Sequence, residues 1–568
     1  MTMSNGTRSS FSMSCVGLCC LLLVCGMASA QNNPSVLTHP AVGHAVNFAT
    51  SRPLRDLVAE QPTISQPFGF HLASPPLRPK LQKLMQLSKQ GISKAEDKGV
   101  QSYAPSPLQP TLGVNVLGVG IGFDNYRVPD APTDVNLAAG DTQVVEWVNV
   151  SFAVFDKATG NALTGPILGN TLWTNLGGPC AANNNGDIIA QWDKIAHRWV
   201  LTQPVFNGPP FYSCFAVSTT PDALGTYHLY QFNACCQGNQ SSGFPDYPKV
   251  GIWRDAYYQH QNMFNNQLTL YIGSGVCAYE SAKMLTGDPT AKQICFLDNS
   301  NNTLFDDSML PADIDSENSL PPKGMPEVFV GSIDNFNPGQ NVYEYLFHVD
   351  FVTPSNSTFT GVDGAMPIAV NQYNLACGGF GACIPQKNVG DVLDSLGDRL
   401  MYRLAYRRSG AAAFNHQSFL VSHSVTAGNS VGERWYEFRA PINHPTALTV
   451  FQQGTYAPDS TYRWMGSLAM DKMGNIALAY STSSSSQFPS INFTGRAPSD
   501  PAGTMESEGL LFAGTGSQVD TADRWGDYTS MAIDNDGCTF WYTNQYYTAT
   551  ASFAWSTRVA SLKFPNCQ

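Results

Sequence analysis

Charge is what this sequence has least of. Lysine and arginine together number 31 and aspartate and glutamate 43, so 13% of residues are charged, against roughly a quarter in an ordinary soluble domain. The net charge of −12 and the want of any Lys/Arg run argue against a nucleic-acid partner. Past residue 30 no stretch approaches the ~18 uninterrupted apolar residues of a membrane-spanning helix. Long 3.6-residue periodicities are missing as well, which speaks against a helical fold. No phosphate-binding or dinucleotide fingerprint follows a strand-like run, and no His or Cys sits at zinc spacing. What is present is apolar: 43% of the 568 residues are hydrophobic and 11% aromatic, with 49 Gly and 37 Pro. Such a chain can bury a large core, and global disorder is excluded.

Residues 1–30 read as a secretory leader. Arg8 is the one charge of a short polar lead, an apolar stretch runs from Cys15 to Met27, and Ala28-Ser29-Ala30 has the small-residue cleavage pattern. A lipid anchor at Cys25 is disfavoured by Val24, where that signal wants a small residue. Cleavage would remove four of the 14 cysteines, Cys15, Cys19, Cys20 and Cys25. Ten in an exported chain favour disulfides over metal or free thiols. Neighbours in sequence suggest Cys180–Cys214, Cys277–Cys295, Cys377–Cys383 and Cys538–Cys567. Cys235 and Cys236 then either bond to each other or pair elsewhere.

Residues 31–110 are Pro-rich, including Pro75-Pro76, with one short helical candidate near Leu81–Gln90. They form an N-terminal arm that wraps the main domain or serves as a pro-segment; a disordered leader is the alternative. From about Thr111 to the end, residues alternate with period two between Gly, Asn, Asp and Pro punctuation, which marks short strands. The stretch also repeats. RWMGSLAMDKMGNIALAYS, from Arg463, and RWGDYTSMAIDNDGCTFWYTN, from Arg524, share a strand, an Asp turn and a second strand, and the turn residues Asp471 and Asp534 lie 63 apart. GDIIAQWDKIAHRWVLTQ and DYPKVGIWRDAYYQHQNMF have the same shape, with Asp193 and Asp255 62 apart. Weaker copies turn at Asp334 and pass through GDRLMYRLAYRR, and a first copy turns at Asp156. A repeat of ~40–60 residues and about four strands is the pattern of a propeller blade, because one four-stranded sheet cannot bury both faces whereas radially stacked sheets can. The fold expected is all-β, a β-propeller over residues 111–568 with seven blades, or six if the short first interval is discounted. A strand near Gly113–Phe123 would complete the last blade and close the ring. A β-sandwich is the rival architecture.

In a propeller the first strand of each blade lines the central channel, and the residues just before it crowd one mouth. Those positions hold Asp187; Asp246, Tyr247 and Lys249; Asp398 and Arg399; Arg463 and Trp464; and Arg524, Trp525, Asp527 and Tyr528. Three arginines from three copies suit two-pronged recognition of a carboxylate or sulfate. A carboxylate among them, from Asp527, Asp246 or Asp398, can serve as general acid. Tyr528, Tyr247 or a second carboxylate can serve as nucleophile or base. Trp464 and Trp525 are either sugar-stacking platforms or packing between blades. Asp and Arg at repeated strand starts also cross-link neighbouring blades, a purely structural alternative for each.

Other motifs are weaker. Gly428-Asn429-Ser430-Val431-Gly432 matches the nucleophile-elbow pattern, but a strand-like ERWYEFRA follows where a helix is required, so a hairpin loop is expected. His416 and His423 make no metal-ligand spacing. Asp313 with Asp315, or Asp534 with Asp536, could hold a structural calcium ion, though neither fits the twelve-residue loop and acidic turns are the simpler reading. No other cofactor is expected.

APTDVNLAAGDTQVVEWVNVSFAVFDKATG, FPDYPKVGIWRDAYY, SLGDRLMYRLAYR, YRWMGSLAMD and RWGDYTSMAID, spread over residues 112–568, resemble a group of exported bacterial proteins of unassigned activity, described as sialidase-like. The wider sialidase superfamily consists of propellers with an arginine triad, a tyrosine nucleophile and an aspartate acid. By that resemblance Arg399, Arg463 and Arg524 would form the triad, with Tyr528 or Tyr247 as nucleophile. Tyr126-Arg127-Val128-Pro129 is similar to that superfamily's Arg-Ile-Pro element. Two features depart from it: the Ser-x-Asp-x-Gly-x-Thr-Trp box is absent, and the arginines come from the C-terminal half only.

The expectation is a secreted, monomeric, disulfide-stapled propeller whose partner is carbohydrate, an acidic glycan bound at one channel mouth and cleaved as by a glycoside hydrolase or polysaccharide lyase. The rival is a non-catalytic secreted or cell-surface propeller that binds glycan or protein.

Overall fold

The structure, a computed structural model, describes residues 35–60, 71–72, 96–236, 243–268, 270–299, 308–318, 320–332, 338–379, 381–408, 416–442, 447–519 and 523–568. The leader with its four cysteines, Pro75-Pro76, the helical candidate at 81–90 and the turn at Asp334 lie outside the described residues.

The protein is nearly all β. Among the described residues its α-helices are the short Leu54–Ala59, Gly178–Ala182 and Ser281–Met284, and none is long and apolar enough to cross a membrane. Among the described residues, seven groups of antiparallel strands follow one another along the chain, each built outward from a first strand, and two short pairs, Ala382–Pro385 with Val392–Asp394 and His71–Leu72 with Asp130–Ala131, stand apart from them. The first strands of the seven are Asn136–Ala139, Ile189–Asp193, Phe244–Ile252, Leu310–Ile314, Met401–Arg408, Tyr462–Met470 and Ser530–Ile533. The fourth and fifth sheets merge, because Leu310–Ile314 pairs in parallel with Met401–Arg408.

Hydrogen bonds join the remaining first strands in a cycle. Ala190 donates its N–H to Asn136 Oδ1 at 2.8 Å, Gln191 its side-chain amide to the Val250 carbonyl at 2.9 Å, and Ile252 its N–H to Asp313 Oδ1 at 3.2 Å. Ser467 Oγ donates to the Tyr402 carbonyl at 2.9 Å and accepts from Met531 N at 3.0 Å. Ser530 Oγ returns to the Leu137 carbonyl at 3.1 Å. The last sheet thus meets the first.

Asp255, Asp471 and Asp534 sit in the turns between first and second strands, and Asp193 ends its first strand at the same turn, as the repeat implies. The first copy is out of register with the sequence reading. Asp156 ends the third strand of its sheet, and the equivalent turn residue is Asp141, between Asn136–Ala139 and Gln143–Val148. The Ser430 motif is a hairpin: Ala427 faces Ser430 across a two-residue turn in which Gly428 takes φ 61°.

N-terminal segments supply outer strands. Ser35–Leu37 pairs with Thr358–Val362 of the fourth sheet, Ala41–His44 with Lys292–Asp298 of the third, and Asn47–Thr50 with Tyr227–Asn233 of the second. Val100–Gln101 joins the fifth sheet, and Thr111–Leu117 pairs with Trp555–Lys563 as the outer strand of the seventh. The disulfides are Cys180–Cys214, Cys235–Cys236, Cys277–Cys295, Cys377–Cys383 and Cys538–Cys567.

The core lies between the sheets. All ten tryptophans are buried, and each such ring removes enough apolar surface to contribute about 4 kcal/mol. The first strands are buried on both faces, so beyond ordinary alternation they read as small and apolar runs.

Candidate functional site

A residue with positive φ stands near the start of each first strand: Asp134 (46°), Asp187 (58°), Tyr247 (53°), Ser308 (54°), Leu396 (45°), Met465 (60°) and Gly526 (69°). Outside glycine this conformation costs of order 1 kcal/mol or more and persists only where surrounding structure enforces it. Five of these residues precede their strand, and Tyr247 and Met465 sit at bulges within theirs, so a bend recurs near every strand start and gathers the residues around it at one end.

Three carboxylates from consecutive sheets meet there. The Asp134 carboxyl lies against that of Asp187, and Asp187 in turn faces Asp246. Burial first, and then repulsion, from Asp187 on Asp134 and from Asp246 on Asp187, raises the pKa of both. Asp187 Oδ2 accepts the Tyr247 N–H at 3.0 Å, and Asp134 Oδ1 accepts that of Asp527 at 3.0 Å.

Lys249 lies inside the cluster with its Nζ over the ring faces of Tyr247, at 3.4 Å, and Tyr528, at 3.9 Å, donating to the Pro248 carbonyl at 3.0 Å. Burial pushes its pKa down to about 7, while Asp187 and Asp134 pull it back up. The ring faces also favour the cation. Both tyrosine hydroxyls are held protonated by burial and donate, Tyr247 to the Asp527 carbonyl at 3.3 Å and Tyr528 to the Ile188 carbonyl at 3.0 Å. Neither is prepared as a nucleophile.

The arginines are closed by their own segments. Arg399 makes a two-pronged pair with Asp398, at 2.9 and 2.7 Å, with both residues buried, and its guanidinium lies 4.6 Å from the Tyr247 ring centre. Arg524 pairs with Asp527, and these two, with Asp187, are the partly exposed members of the cluster. Arg463 is not among them: it is buried and holds Glu508 at 2.7 Å and Asp459 at 2.9 Å. The resemblance's arginine triad is therefore not assembled. Arg127, of the Arg-Ile-Pro-like element, is exposed.

Trp464 and Trp525 are fully buried, 5.8 Å apart between the sixth and seventh sheets. Trp525 donates to Ser481 Oγ at 3.0 Å and stacks on Tyr547. They pack sheet against sheet and offer no face to a sugar. The acidic pairs considered for calcium are engaged as well: Asp313 and Asp315 by Arg403, Asp534 by Lys157 and Asp536 by Lys563. Among the described residues, one group of side chains lies close enough to share a metal ion, Cys235, Cys277 and Cys295, and all three are disulfide-bonded.

Two carboxylates of this end were not singled out in the sequence, Asp134 and Asp394. Asp394 feels Arg524, Asp398 and Arg399, and burial raises its pKa. With Asp187, Asp246, Asp398 and Asp527 they bring six carboxyl groups to three cations, Lys249, Arg399 and Arg524.

No protein-family model and no curated protein matches the chain. Among solved structures it is similar to an α-L-arabinanase from Penicillium chrysogenum (9% identity, 67% of this chain and 98% of that one, TM-score 0.32). It is similar also to a protein of unknown function from Dyadobacter fermentans (8% identity, 84% and 100%, TM-score 0.32), and to Drosophila Plexin A in complex with Semaphorin 1b (8% identity, 82% and 89%, TM-score 0.33). At these scores the likenesses carry no argument about activity.

Proposed function

We propose that the chain is a secreted, seven-bladed β-propeller that hydrolyses a glycosidic bond at the strand-start end of its channel. The cycle of hydrogen-bonded first strands supports seven blades. Five disulfides and the apolar leader support export.

One observation carries the activity: Asp134 and Asp187 are buried against each other, with Asp246 beside Asp187. Two carboxyl groups in such contact hold a proton more tightly than a free aspartate does, and a third carboxyl group next to them is placed for the opposite role. Asp187, the partly exposed member, is the acid that carries this proton and gives it to the glycosidic oxygen, with Asp134 behind it. Asp246 is the base or nucleophile on the other side. Lys249 offsets their charge from below.

The balance of six carboxyl groups to three cations changes the expected substrate. Arg399 and Arg524 are closed by Asp398 and Asp527, so this end favours the hydroxyls of a neutral sugar ring over a uronate or sialic acid. Elimination, which needs free cations at a uronate carboxylate, is correspondingly disfavoured.

A non-catalytic glycan-binding propeller is the second reading, favoured by the closure of Arg399, Arg463 and Arg524 in ion pairs. Purified mature protein incubated with neutral, uronate, sialylated and sulfated glycans separates the two. Reducing ends released from a neutral glycan, and lost at least 100-fold in Asp187→Asn with the melting temperature kept, support hydrolysis. Binding without product in every case assigns the module.

A further inference from the structure

The first strands end, away from the Asp134–Asp187 cluster, in hairpin turns. At that end, bounded mainly by the fifth and sixth sheets and reached by Lys194 from the second, is a cavity of about 540 Å³. That falls within the roughly 300–1,000 Å³ usual for small-molecule sites.

Three of the cations lining it are more than nine-tenths buried: Lys194 (7% exposed), Arg407 (6%) and Arg496 (4%). Among the described residues the Lys194 ammonium has no hydrogen-bond acceptor and no carboxylate within 4 Å. The acids that act on it are paired elsewhere, Asp313 with Arg403, Asp534 with Lys157, and Asp315 through Oδ1 with Arg403, its Oδ2 having no hydrogen-bond partner among the described residues. Arg407 donates to the carbonyls of Met470, at 2.7 Å, and Asp315, at 3.0 Å. Arg496 donates to those of Pro501, Thr504 and Asp500, at 2.9, 3.2 and 3.3 Å. Neither reaches a carboxylate. Burial lowers the pKa of all three cations.

The lining acids do not fill the gap. Glu437 is taken by Arg439 and Gln452, Asp471 by Asn475, and Asp500 by Ser106 and the Ala497 N–H. These acids and those around Lys194 act on the three cations from a distance, and a buried cation that no carboxylate meets directly carries a desolvation cost that an anionic guest would offset. Phe451, with the Arg439 guanidinium 3.2 Å from its ring centre, and Met473 give the same cavity an apolar wall suited to a ring.

We propose that this cavity binds a sugar bearing a carboxylate or sulfate group, with Lys194, Arg407 and Arg496 converging on the oxyanion. The proposal does not depend on hydrolysis at the opposite end. It returns acidic-glycan recognition to the molecule at cations the strand-start reading did not include.

The test is binding by calorimetry to the full disulfide-bonded protein at matched ionic strength, using a uronic-acid disaccharide, a sulfated disaccharide, sodium sulfate and a neutral disaccharide. The acidic disaccharides are expected to bind at least tenfold more tightly than either of the other two. Lys194→Met should melt no lower than the parent, because a buried unpaired charge is removed, and should weaken acidic-sugar binding at least tenfold. Arg496→Met repeats the test if Lys194→Met fails to fold, and Asp187→Asn should leave binding unchanged. No acidic-sugar binding, equal binding of the neutral disaccharide, or undiminished binding by the variant overturns the proposal. Sulfate binding as tightly as the sugars overturns the sugar and leaves a free inorganic anion.

Discussion

Asp134 and Asp187 lie 53 residues apart and precede different sheets, yet their carboxyl groups are buried close enough for Asp187 to raise the pKa of Asp134. Burial and repulsion hold both protons above the pH at which the unfolded chain releases them. Stability from such groups is full below about pH 4 and is lost as pH rises through the folded value. Asp134→Asn keeps an acceptor for the Asp527 N–H and suits the positive φ at this position. The variant is expected to melt above the parent at pH 8 and level with or below it at pH 4, as followed by melting temperature against pH.

Glu433 offers the same sign at a site away from the cluster. Its Oε1 accepts from Ser424 Oγ and the Gly466 N–H, each at 3.2 Å, and burial raises its pKa to about 8. The folded state therefore holds a proton between pH 4.5 and 8 that the unfolded chain has lost, so stability falls across that window. Glu433→Gln should match the parent near pH 4 and exceed it by about 4 kcal/mol at pH 9, read from denaturant midpoints.

Arg463 separates structure from chemistry. Its buried guanidinium ties Glu508 to the turn at Asp459. Arg463→Met leaves Glu508 without a counter-ion, and a loss of about 3 kcal/mol is expected. KM for any hydrolysed glycan should not change. A tenfold rise in KM with stability intact would return this residue to the substrate site.

The sheets were legible because each needs the same three things: a first strand buried on both faces, a polar turn and an aromatic second strand. That rhythm exposed the turn residues Asp193, Asp255, Asp471 and Asp534. The first sheet escaped because its second strand, Gln143–Val148, is shorter than the eight- or nine-residue second strands that follow Asp193, Asp255, Asp471 and Asp534. Aligning that copy on Asp156 displaced its start and hid Asp134, although Asp134 stands before its strand as Asp187 does before Ile189–Asp193. Arg463 and Trp464 were placed by position in the repeat, which fixes where a backbone lies and leaves the side chain free to turn into the core. The buried cations at Lys194, Arg407 and Arg496 gave no signal, since their isolation depends on what distant carboxylates already hold.

The strands Ser35–Leu37, Ala41–His44 and Asn47–Thr50 run past the fourth, third and second sheets in reverse chain order. Their partners come from residues 227–362. The segment synthesised ahead of the seven sheets thus waits for nearly two-thirds of the polypeptide before it can settle, and until then three sheet edges stay open to other chains. Once docked, the strip is one latch across the outer edges of three sheets, added to the apolar packing between their faces.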